Sequence, residues 1–392
     1  MADWTKGGFR GKLTLMKLCI YILLLVSYCL PQGGDIPETV TIIETNFLNY
    51  YSTDYSTNIT SYGHAGIIKG NLNNISNINP ALLKRTKNII VGFSCFSEDL
   101  GYYDFYKSLG IKVNNPLLES WSILIPGDLS ISIGSNMKYN LTVEYDMPVI
   151  TFKNRLKIQT YSVNISKELD KNITIGFKYN RDNLFKKERI YYTTSLEVKD
   201  HVDYWGVGLL YNKNFGNIGM MYLHGKTLFR TRTYENPFYD ITEDYEGEGS
   251  VENSISLTSY YNVPSILGIG ISHFDNSLTY LINVKKIFWN NDTSNPYEEN
   301  ILTAGVQYYI TDSFELLLTT TLNDYNFDND FNERKIITIG GIYKSQYYDI
   351  DLTFGSMYDI VEEDILGTSN DVNYFRLGLI VHIPMAKGLI TN

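Results

Sequence analysis

Apolar and polar residues alternate along many short stretches of this chain. In the stretch YYDIDLTFG, one parity carries Tyr348, Ile350, Leu352 and Phe354, and the other carries Asp349, Asp351, Thr353 and Gly355. The same alternation recurs in QTYSVNIS, NITIGFKYN, FELLLTTTLN and NYFRLGLIVHI. A period of two residues predicts β-strands, because successive side chains of a strand point to opposite faces of the sheet. No long segment carries the apolar stripe of an amphipathic helix.

The pattern predicts fourteen strands, with a bend at Pro264 in the eighth. They are residues 88–97, 119–125, 128–145, 150–167, 172–182, 201–212, 216–230, 254–274, 277–290, 300–310, 313–325, 334–344, 347–359 and 372–384. Connectors of two or three residues alternate with longer ones of up to about twenty residues. An even number of strands joined by alternately short and long connectors is typical of a bacterial transmembrane β-barrel.

A membrane barrel also explains the two strand faces. In hydrocarbon every backbone N–H and C=O must be paired inside the protein, so a spanning sheet closes on itself. Its lipid side is apolar and its lumen can be polar, and aromatic residues gather near the strand ends. Residues in such positions here are Trp121, Tyr145, Trp205, Trp289, Tyr325 and Tyr358. A secreted soluble β-protein, such as a sandwich or lectin-like adhesin, would also alternate and remains the competing interpretation.

Composition narrows the possible functions. The chain has 392 residues, with 33 Tyr and 30 Gly against 10 Pro, which suits strands and turns. Its net charge of −10 argues against a nucleic-acid partner. The five histidines show no i, i+4 pair and no G-x-S-x-G motif occurs, so we expect neither a metal or other cofactor nor enzymatic activity.

The segment LCIYILLLVSYCL, residues 18–30, follows four basic residues. It is too short to span a bilayer as a helix, and its basic flank is typical of a signal peptide. We therefore expect residues 1–30 to be a signal peptide, with Met16 as an alternative start.

Asp349 and Asp351 share one face of a predicted strand. A glycosidase or metal site would need a third group aimed at them, and the sequence identifies none. A wet lumen explains both carboxylates, so we expect them to point inward.

A resemblance comes from the stretch GHAGIIKGNLNNISNINPALL, Gly63–Leu83, just before the first predicted strand. Glycines followed by Asn-Pro-Ala at this place resemble the N-terminal plug of the FadL-type outer-membrane transporters of long-chain fatty acids and other hydrophobic compounds. The motif residues are Gly63, Gly66, Gly70, Asn79, Pro80 and Ala81. The stretches 205–222 and 262–289 resemble the strand–turn–strand pairs of the family, although its C-terminal aromatic residue is absent here.

The resemblance implies an all-β, 14-stranded antiparallel transmembrane β-barrel with an N-terminal plug in the lumen. The expected divisions are a plug at 31–87, a barrel at 88–385 and a short tail at 386–392. Gly63, Gly66 and Gly70 would allow tight turns in the plug, and Pro80 would fix the entry into the first strand.

The expected function is passive uptake of hydrophobic small molecules, above all long-chain fatty acids, across the bacterial outer membrane. The expected partners are this ligand, outer-membrane lipid and lipopolysaccharide, with the protein a monomer. An anionic head group needs a cation in the lumen, and Lys178, Lys285 and Arg376 have the inward parity. Alternatively, each of these cations pairs with a lumen acid such as Asp349, Asp351 or Glu315. Because PorV-like barrels share the plug motif, a scaffold or secretion partner is the alternative function.

Overall fold

The computed structural model describes residues 66–70, 78–85, 87–100, 111–114, 118–146, 151–190, 194–235, 254–288, 298–327, 330–360 and 372–384. Within them the strands are β1 Ile89–Leu100, β2 Ile111–Asn114, β3 Leu118–Ile125, β4 Leu129–Asp146, β5 Thr151–Glu168, β6 Ile173–Ile190, β7 Thr194–Lys213, β8 Gly216–His224, β9 Lys226–Glu235, β10 Ser254–Val263, β11 Ser265–Asp275, β12 Leu278–Phe288, β13 Glu298–Thr311, β14 Phe314–Phe327, β15 Asp330–Lys344, β16 Tyr348–Ile360 and β17 Val372–Ile383. A short 3-10 helix spans Pro80–Arg85.

Fourteen of these strands form one closed antiparallel barrel. The order around it is β4-β3-β1-β17-β16-β15-β14-β13-β12-β11-β8-β7-β6-β5, and pairing of β5 with β4 closes the ring. Closure leaves every barrel strand with a neighbour on both sides, as a sheet in hydrocarbon requires. The predicted fourteen-stranded transmembrane fold is confirmed.

The remaining strands lie outside the ring. The short strand β2 pairs with the far part of β4. The strands β9 and β10 pair with each other in a separate two-stranded sheet. Residues 231–235 of β9 and 254–259 of β10 belong to a second compact unit.

The predicted strands 216–230 and 254–274 are each divided in two. β8 pairs with β11 from Gly216–His273 to Leu223–Ile266. Continued in the same register, the ladder would pair His224 with Ser265 and then Gly225 with Pro264. Proline has no N–H to donate to the ladder. The Gly225 N–H instead donates to Ser265 Oγ over 3.0 Å, and a Cβ on Gly225 would lie 2.1 Å from the Val263 carbonyl oxygen. The bend expected at Pro264 is thus a complete break between the barrel strand and the β9–β10 pair.

Strand lengths differ sharply around the ring. β4, β5 and β6 have 18 residues each and β7 has 20, whereas β8 has 9 and both β11 and β12 have 11. The long strands run through residues 183–190 and 194–200, which were expected to form a connector. These residues, NLFKKERI and TSLEVKD, lack the strict alternation of apolar and polar side chains from which the other strands were predicted.

Large apolar side chains are exposed on the outward parity of all fourteen barrel strands. Examples from separate strands are Phe93, Ile131, Val163, Phe177, Val207, Met220, Ile269, Ile282, Leu318, Ile339, Phe354 and Leu379. A soluble protein would not expose such a continuous apolar belt, whereas lipid contact requires one. The soluble sandwich interpretation is therefore wrong. No helix among the described residues is long and apolar enough to cross a membrane.

Trp121 and Trp205 are exposed on the outer face. Trp205 was expected near a strand end, but β7 is longer than predicted and Trp205 lies near its middle. On β6 and β7, Tyr179 pairs across the strands with Trp205, and the next outward pair is Arg181 with Asp203. Arg181 Nε lies 2.7 Å from Asp203 Oδ1. The change from aromatic to charged residues marks the upper edge of the apolar belt on these two strands.

Candidate functional site in the barrel lumen

Residues 66–70 and 78–85, here called the inner segments, pack against the inner wall at the end of the barrel where the connectors are short. One buried cluster joins their residues Ile78, Ala81, Leu82 and Leu83 to the wall residues Ile90, Leu124, Leu210 and Ile380. A second joins Ile68 to Leu281, Leu317 and Ile342. Each of these wall residues lies within about six positions of a short connector, of the start of β1 or of the end of β17. The inner segments are therefore held at this end by apolar burial.

Asn79 connects the inner segments to one another and to the wall. Its side-chain Nδ2 donates to the carbonyl oxygens of Ile67 over 2.9 Å, Leu209 over 3.1 Å and Met220 over 3.1 Å. Its Oδ1 accepts from the Ala81 N–H over 3.0 Å. Its own N–H donates to the Gly66 carbonyl over 2.7 Å. A fully buried side chain with such bonds fixes the segments to β7 and β8.

Glycines on the wall make this close approach sterically possible. A Cβ on Gly176 would lie 2.5 Å from the Ala81 nitrogen, and one on Gly208 would lie 1.8 Å from Asn79 Oδ1. A Cβ on Gly219 would lie 2.6 Å from the Ile67 carbonyl oxygen, and one on Gly270 would lie 3.0 Å from Ile68 Cγ2. Gly176 pairs with Gly208, and Gly219 pairs with Gly270. These two cross-strand pairs, with Gly268 beside Ile67, form a glycine socket that any larger side chain would fill.

Most residues of the predicted plug motif lie in the inner segments. Gly66, Asn79, Pro80 and Ala81 all contact this socket or one another. Gly70 packs on Ile78, since a Cβ on it would lie 2.5 Å from Ile78 Cγ2. Gly63 lies outside the described residues, as do the expected signal peptide and C-terminal tail. The sequence analysis did not identify the wall glycines as a site. Gly176 in ITIGFKY and Gly208 in WGVGLLY have the parity of inward-facing residues, and this pattern could have identified them.

The three predicted lumen cations are all buried and inward. Lys178 Nζ donates to the Ile78 carbonyl of the inner segments. Arg376 Nη1 lies 3.4 Å from Asp351 Oδ2, with both side chains nearly inaccessible. Lys285 pairs across the ladder with Gly268, next to Ile67. Arg376 thus follows the ion-pair alternative, whereas Lys178 is bound to a backbone carbonyl.

Asp349 and Asp351 point inward but bind different partners. Asp351 lies beside Arg376, and Asp349 Oδ2 lies 3.0 Å from His382 Nε2. No group of three metal-binding side chains occurs among the described residues. Both carboxylates therefore serve the polar lumen wall, as their parity indicated.

Lys69 attaches the inner segments to a second part of the wall, strand β13, which β11 and β12 separate from the strands that Asn79 binds. Its Nζ donates to Gln307 Oε1 on β13 and to Tyr309 Oη over 3.0 Å. Gln307 Nε2 in turn donates to Glu315, which also accepts from Lys344 Nζ. This chain of bonds crosses β13, β14 and β15 near their short connectors. The sequence pattern did not reveal it, because its members are up to about 275 positions apart.

A second polar cluster lies farther from the short connectors, on β4 to β7. Lys138 Nζ donates to Asp182 Oδ2 over 2.7 Å and to Tyr204 Oη over 3.0 Å. Thr160 Oγ1 donates to Asp182 Oδ1 over 2.6 Å. The β4–β5 register shifts between Met137 and Tyr139, so Lys138 sits in a β-bulge. A bulge re-aims a side chain, which here lets Lys138 join inward-facing partners.

Apolar side chains form part of the inner wall above the glycine socket. Leu223 of β8 pairs with Ile266 of β11, which pairs with Ile287 of β12, and all three are buried. We call these three residues the apolar row. Two ladder positions nearer the socket lie Met221, Gly268 and Lys285, followed by Gly219, Gly270 and Asn283. The wall therefore changes from glycine and polar residues to apolar residues along its height.

Several solved proteins share this fold. A Pseudomonas aeruginosa FadL homologue aligns with a TM-score of 0.59 at 12% identity, over 83% of this chain and 98% of that one. The CymD monoaromatic hydrocarbon channel aligns with a TM-score of 0.60 at 10% identity, over 83% and 98%. The Pseudomonas putida toluene transporter TodX aligns with a TM-score of 0.55 at 12% identity, over 83% and 98%.

No protein-family model and no curated protein matches the chain. The shared property is thus the three-dimensional arrangement, over nearly the full length of each solved protein. CymD and TodX are named as a channel and a transporter rather than as enzymes. The chain has the fold of the FadL-type outer-membrane channels, as the resemblance of its Asn79-Pro80-Ala81 segment implied.

Proposed function

We propose that this barrel lies in the bacterial outer membrane and lets hydrophobic small molecules enter passively, with long-chain fatty acids as the expected ligands. The observation that carries the proposal is the apolar row inside a closed barrel whose outside is also apolar. An apolar wall beside a few placed polar groups is the usual character of a small-molecule site. Solved proteins of the same fold are named for toluene and monoaromatic hydrocarbons, which supports a hydrophobic cargo.

The inner segments belong to the C-terminal part of the proposed plug, residues 31–87. They would close the short-connector end of the barrel until a ligand displaces them or leaves through the wall. In support of a plug, they are fixed by Asn79, Lys69 and Lys178 and lie on the glycine socket. In support of a route through the wall, the β8–β11 ladder ends at Leu223–Ile266, which are two of the three residues of the apolar row.

That the hydrophobic ligand is a long-chain fatty acid is the more specific part of the proposal. Their carboxylate would need to compete for cations that already have partners, since Arg376 lies beside Asp351 and Lys178 donates to Ile78. A head-group role for Lys178, Lys285 or Arg376 stays a prediction, and alanine variants of the three test it in one assay.

The test is a binding titration with a fluorescent long-chain fatty acid on protein purified in mild detergent, with oleate as competitor. Saturable and competable binding is the expected result. The variant Ile287→Thr should weaken binding, because it places a hydroxyl in the apolar row. The matched control is Ile383→Thr, an exposed position at the end of β17.

The protein could fail to bind the fatty acid while it keeps a β-rich circular dichroism spectrum and heat-dependent gel mobility. That result would exclude fatty-acid uptake as its function. If toluene also failed to compete for any site, the alternative of a PorV-like scaffold or secretion partner would take its place. Equal loss in both isoleucine variants would show that the apolar row is not the site.

A further inference from the structure

We infer that the outer surface of β5, β6 and β7, beyond the apolar belt, is a binding site for the phosphorylated sugar core of lipopolysaccharide. The inference rests on the outer-membrane location in the proposed function. It adds the residues that hold this glycolipid and the part of the glycolipid that they bind. An exposed group of cations carries it, on a chain whose net charge is −10.

Two rows of outward-facing side chains cross these three strands. The first row is Lys157, Phe185 and Lys199, and the second row, two ladder positions farther from the short connectors, is Arg155, Lys187 and Glu197. We call these six residues the basic patch. All of them are exposed except Lys157 and Phe185, which are half-exposed. The two rows lie about 7 Å apart, and the outer two strands lie about 10 Å apart. The basic patch therefore has the size of a sugar ring with its substituents.

Two cations of the basic patch face each other directly. Arg155 and Lys187 are partners in the β5–β6 ladder. On the other side of β5, the ladder partners of Arg155 and Lys157 are Thr142 and Asn140, which carry no charge. Side chains in such a cross-strand pair have Cβ atoms about 4.5–5.5 Å apart, and like charges there repel each other. A bound phosphate would replace this repulsion by charge-assisted hydrogen bonds, which arginine forms with favourable geometry.

Glu197 neutralises only part of the positive charge. Its carboxylate lies 2.5 Å from Lys199 Nζ and 3.8 Å from Lys187 Nζ. The side chains of these two lysines are nevertheless 71% and 48% exposed. Arg155 and Lys157 lie on β5, two strands away from Glu197. The four cations therefore leave an excess of three positive charges within the basic patch.

Phe185 gives the basic patch an apolar centre. It is the ladder partner of Lys157 on one side and of Lys199 on the other. Lys199 Nζ lies 5.7 Å from the centroid of its ring. An exposed aromatic ring can pack against the C–H face of a sugar, while the cations around it bind phosphate groups on that sugar. A phosphorylated sugar uses both features, whereas inorganic phosphate would leave the ring uncovered.

The height of the basic patch selects among anionic lipids. The apolar belt on β6 and β7 ends at the pair Arg181–Asp203. Phe185 and Lys187 follow Arg181 on β6 by about 13 and 20 Å along the strand, or about 10 and 15 Å in height at the usual tilt. The head-group layer of a phospholipid leaflet is only about 5–8 Å thick. Phospholipid phosphates would therefore lie below the basic patch.

Lipopolysaccharide has anionic groups at the required height. Its core sugars stand beyond the lipid head groups and carry phosphates. The short turns of outer-membrane barrels face the periplasm, so the opposite end of the strands, where the basic patch lies, faces the outside of the cell. The basic patch and the glycolipid of the outer leaflet thus match in charge, height and side of the membrane.

The test is a titration of the full-length protein, freed of endogenous lipid on a detergent column, with fluorescently labelled rough lipopolysaccharide. Fluorescence anisotropy at low ionic strength measures the binding. Arg155→Gln combined with Lys187→Gln should weaken it about twenty- to thirtyfold, since each basic residue near an anionic lipid surface contributes a factor of about five. The matched control is Lys286→Gln combined with Lys335→Gln, which removes two outward cations from β12 and β15 and should leave binding unchanged.

The unfolding temperature gives a second readout. Without lipopolysaccharide, the Arg155 and Lys187 double variant should unfold at the wild-type temperature or slightly above it, because a repelling pair has been removed. With lipopolysaccharide, the wild type and the control should gain stability and the double variant should not. A double variant that is less stable than the wild type without lipopolysaccharide would overturn the inference, because the two cations would then have partners within the protein.

Competing ligands identify the source of the phosphate. Lipopolysaccharide whose core phosphates have been removed enzymatically should bind more weakly, and equal binding would overturn the inference. Equal displacement by anionic phospholipid or by inorganic phosphate would also overturn it, as would equal weakening in the double variant and the control. The fatty-acid titration on the same proteins tests the proposed function separately. Lipopolysaccharide binding without fatty-acid binding would contradict uptake alone, and the reverse result would contradict only the basic patch.

Discussion

Gly208 of the barrel wall faces Asn79 so closely that a Cβ on the glycine would lie 1.8 Å from Asn79 Oδ1. The glycine and the asparagine are thus one fitted pair across the boundary between wall and inner segment. Neighbouring Gly176 has the same relation to Ala81 and Pro80. Residues 79–81 contact both glycines, so they cannot move away from one glycine without approaching other atoms of the wall.

The substitution Gly208→Ala should therefore loosen the inner segments. The expected cost is about 1–3 kcal/mol, the usual range for overpacking a buried site. Trypsin cleavage after Lys69 should become faster, while the barrel keeps its heat-dependent gel mobility. The control is Gly341→Ala, where a Cβ would have its nearest neighbour at an ordinary 3.7 Å. Equal cleavage rates in the two variants would contradict the socket.

Replacement of Asn79 should separate its donor role from its acceptor role. Asn79→Ala removes the bonds to Ile67, Leu209 and Met220 and should cost about 1–3 kcal/mol. Asn79→Asp keeps an acceptor for the Ala81 N–H but sets a buried carboxylate against three carbonyl oxygens, so its loss should be larger. Hydrogen-exchange rates of the backbone amides of residues 78–85 show which of the two variants loses more stability. An aspartate variant as protected as wild type would refute the assigned hydrogen bonds.

The Arg376–Asp351 pair should behave as a buried ion pair. Arg376→Leu leaves a buried carboxylate on Asp351 and should cost about 3–5 kcal/mol, whereas Arg376→Leu with Asp351→Leu should cost much less. Urea unfolding midpoints of the two single variants and the double variant form the double-mutant cycle. Additive effects would mean that the two side chains are not coupled.

The apolar belt predicts a dependence on depth in the membrane. Ile282 is outward and 54% exposed near the middle of the belt, and Ile383 is outward and 45% exposed at the end of β17. Ile282→Lys should destabilise the barrel in lipid by about 2–4 kcal/mol, and Ile383→Lys by about 0–1 kcal/mol. Unfolding in phospholipid vesicles measures both. Equal costs would mean that the belt is not placed in the bilayer as assigned.

The sequence predicted the barrel because parity is a local property that each strand carries by itself. In 347–355 the apolar residues do face outward and Asp351 does face inward. The Asn-Pro-Ala segment was also visible, because its three residues are adjacent in the chain. These features need no knowledge of which strands are neighbours.

Cross-strand relations could not be predicted in the same way. Arg376 meets Asp351, Lys69 meets Gln307, and Gly219 meets Gly270 only once the register of every ladder is fixed. A register slip of one residue would turn each of these side chains to the other face. The break at Gly225 was missed for a related reason, since a single glycine in an alternating stretch also occurs in an unbroken strand.

The barrel strands differ about twofold in length. Strands of 9 to 11 residues, such as β8 and β12, extend about 30–36 Å along the chain, and at the usual tilt they rise only about as high as the apolar layer. The strands β4 to β7, with 18 to 20 residues, extend about 60 Å or more and stand well above it. The hydrogen-bonded ladder of β8, β11 and β12 therefore ends at about the height of the apolar layer, whereas the ladder of β4 to β7 continues well beyond it.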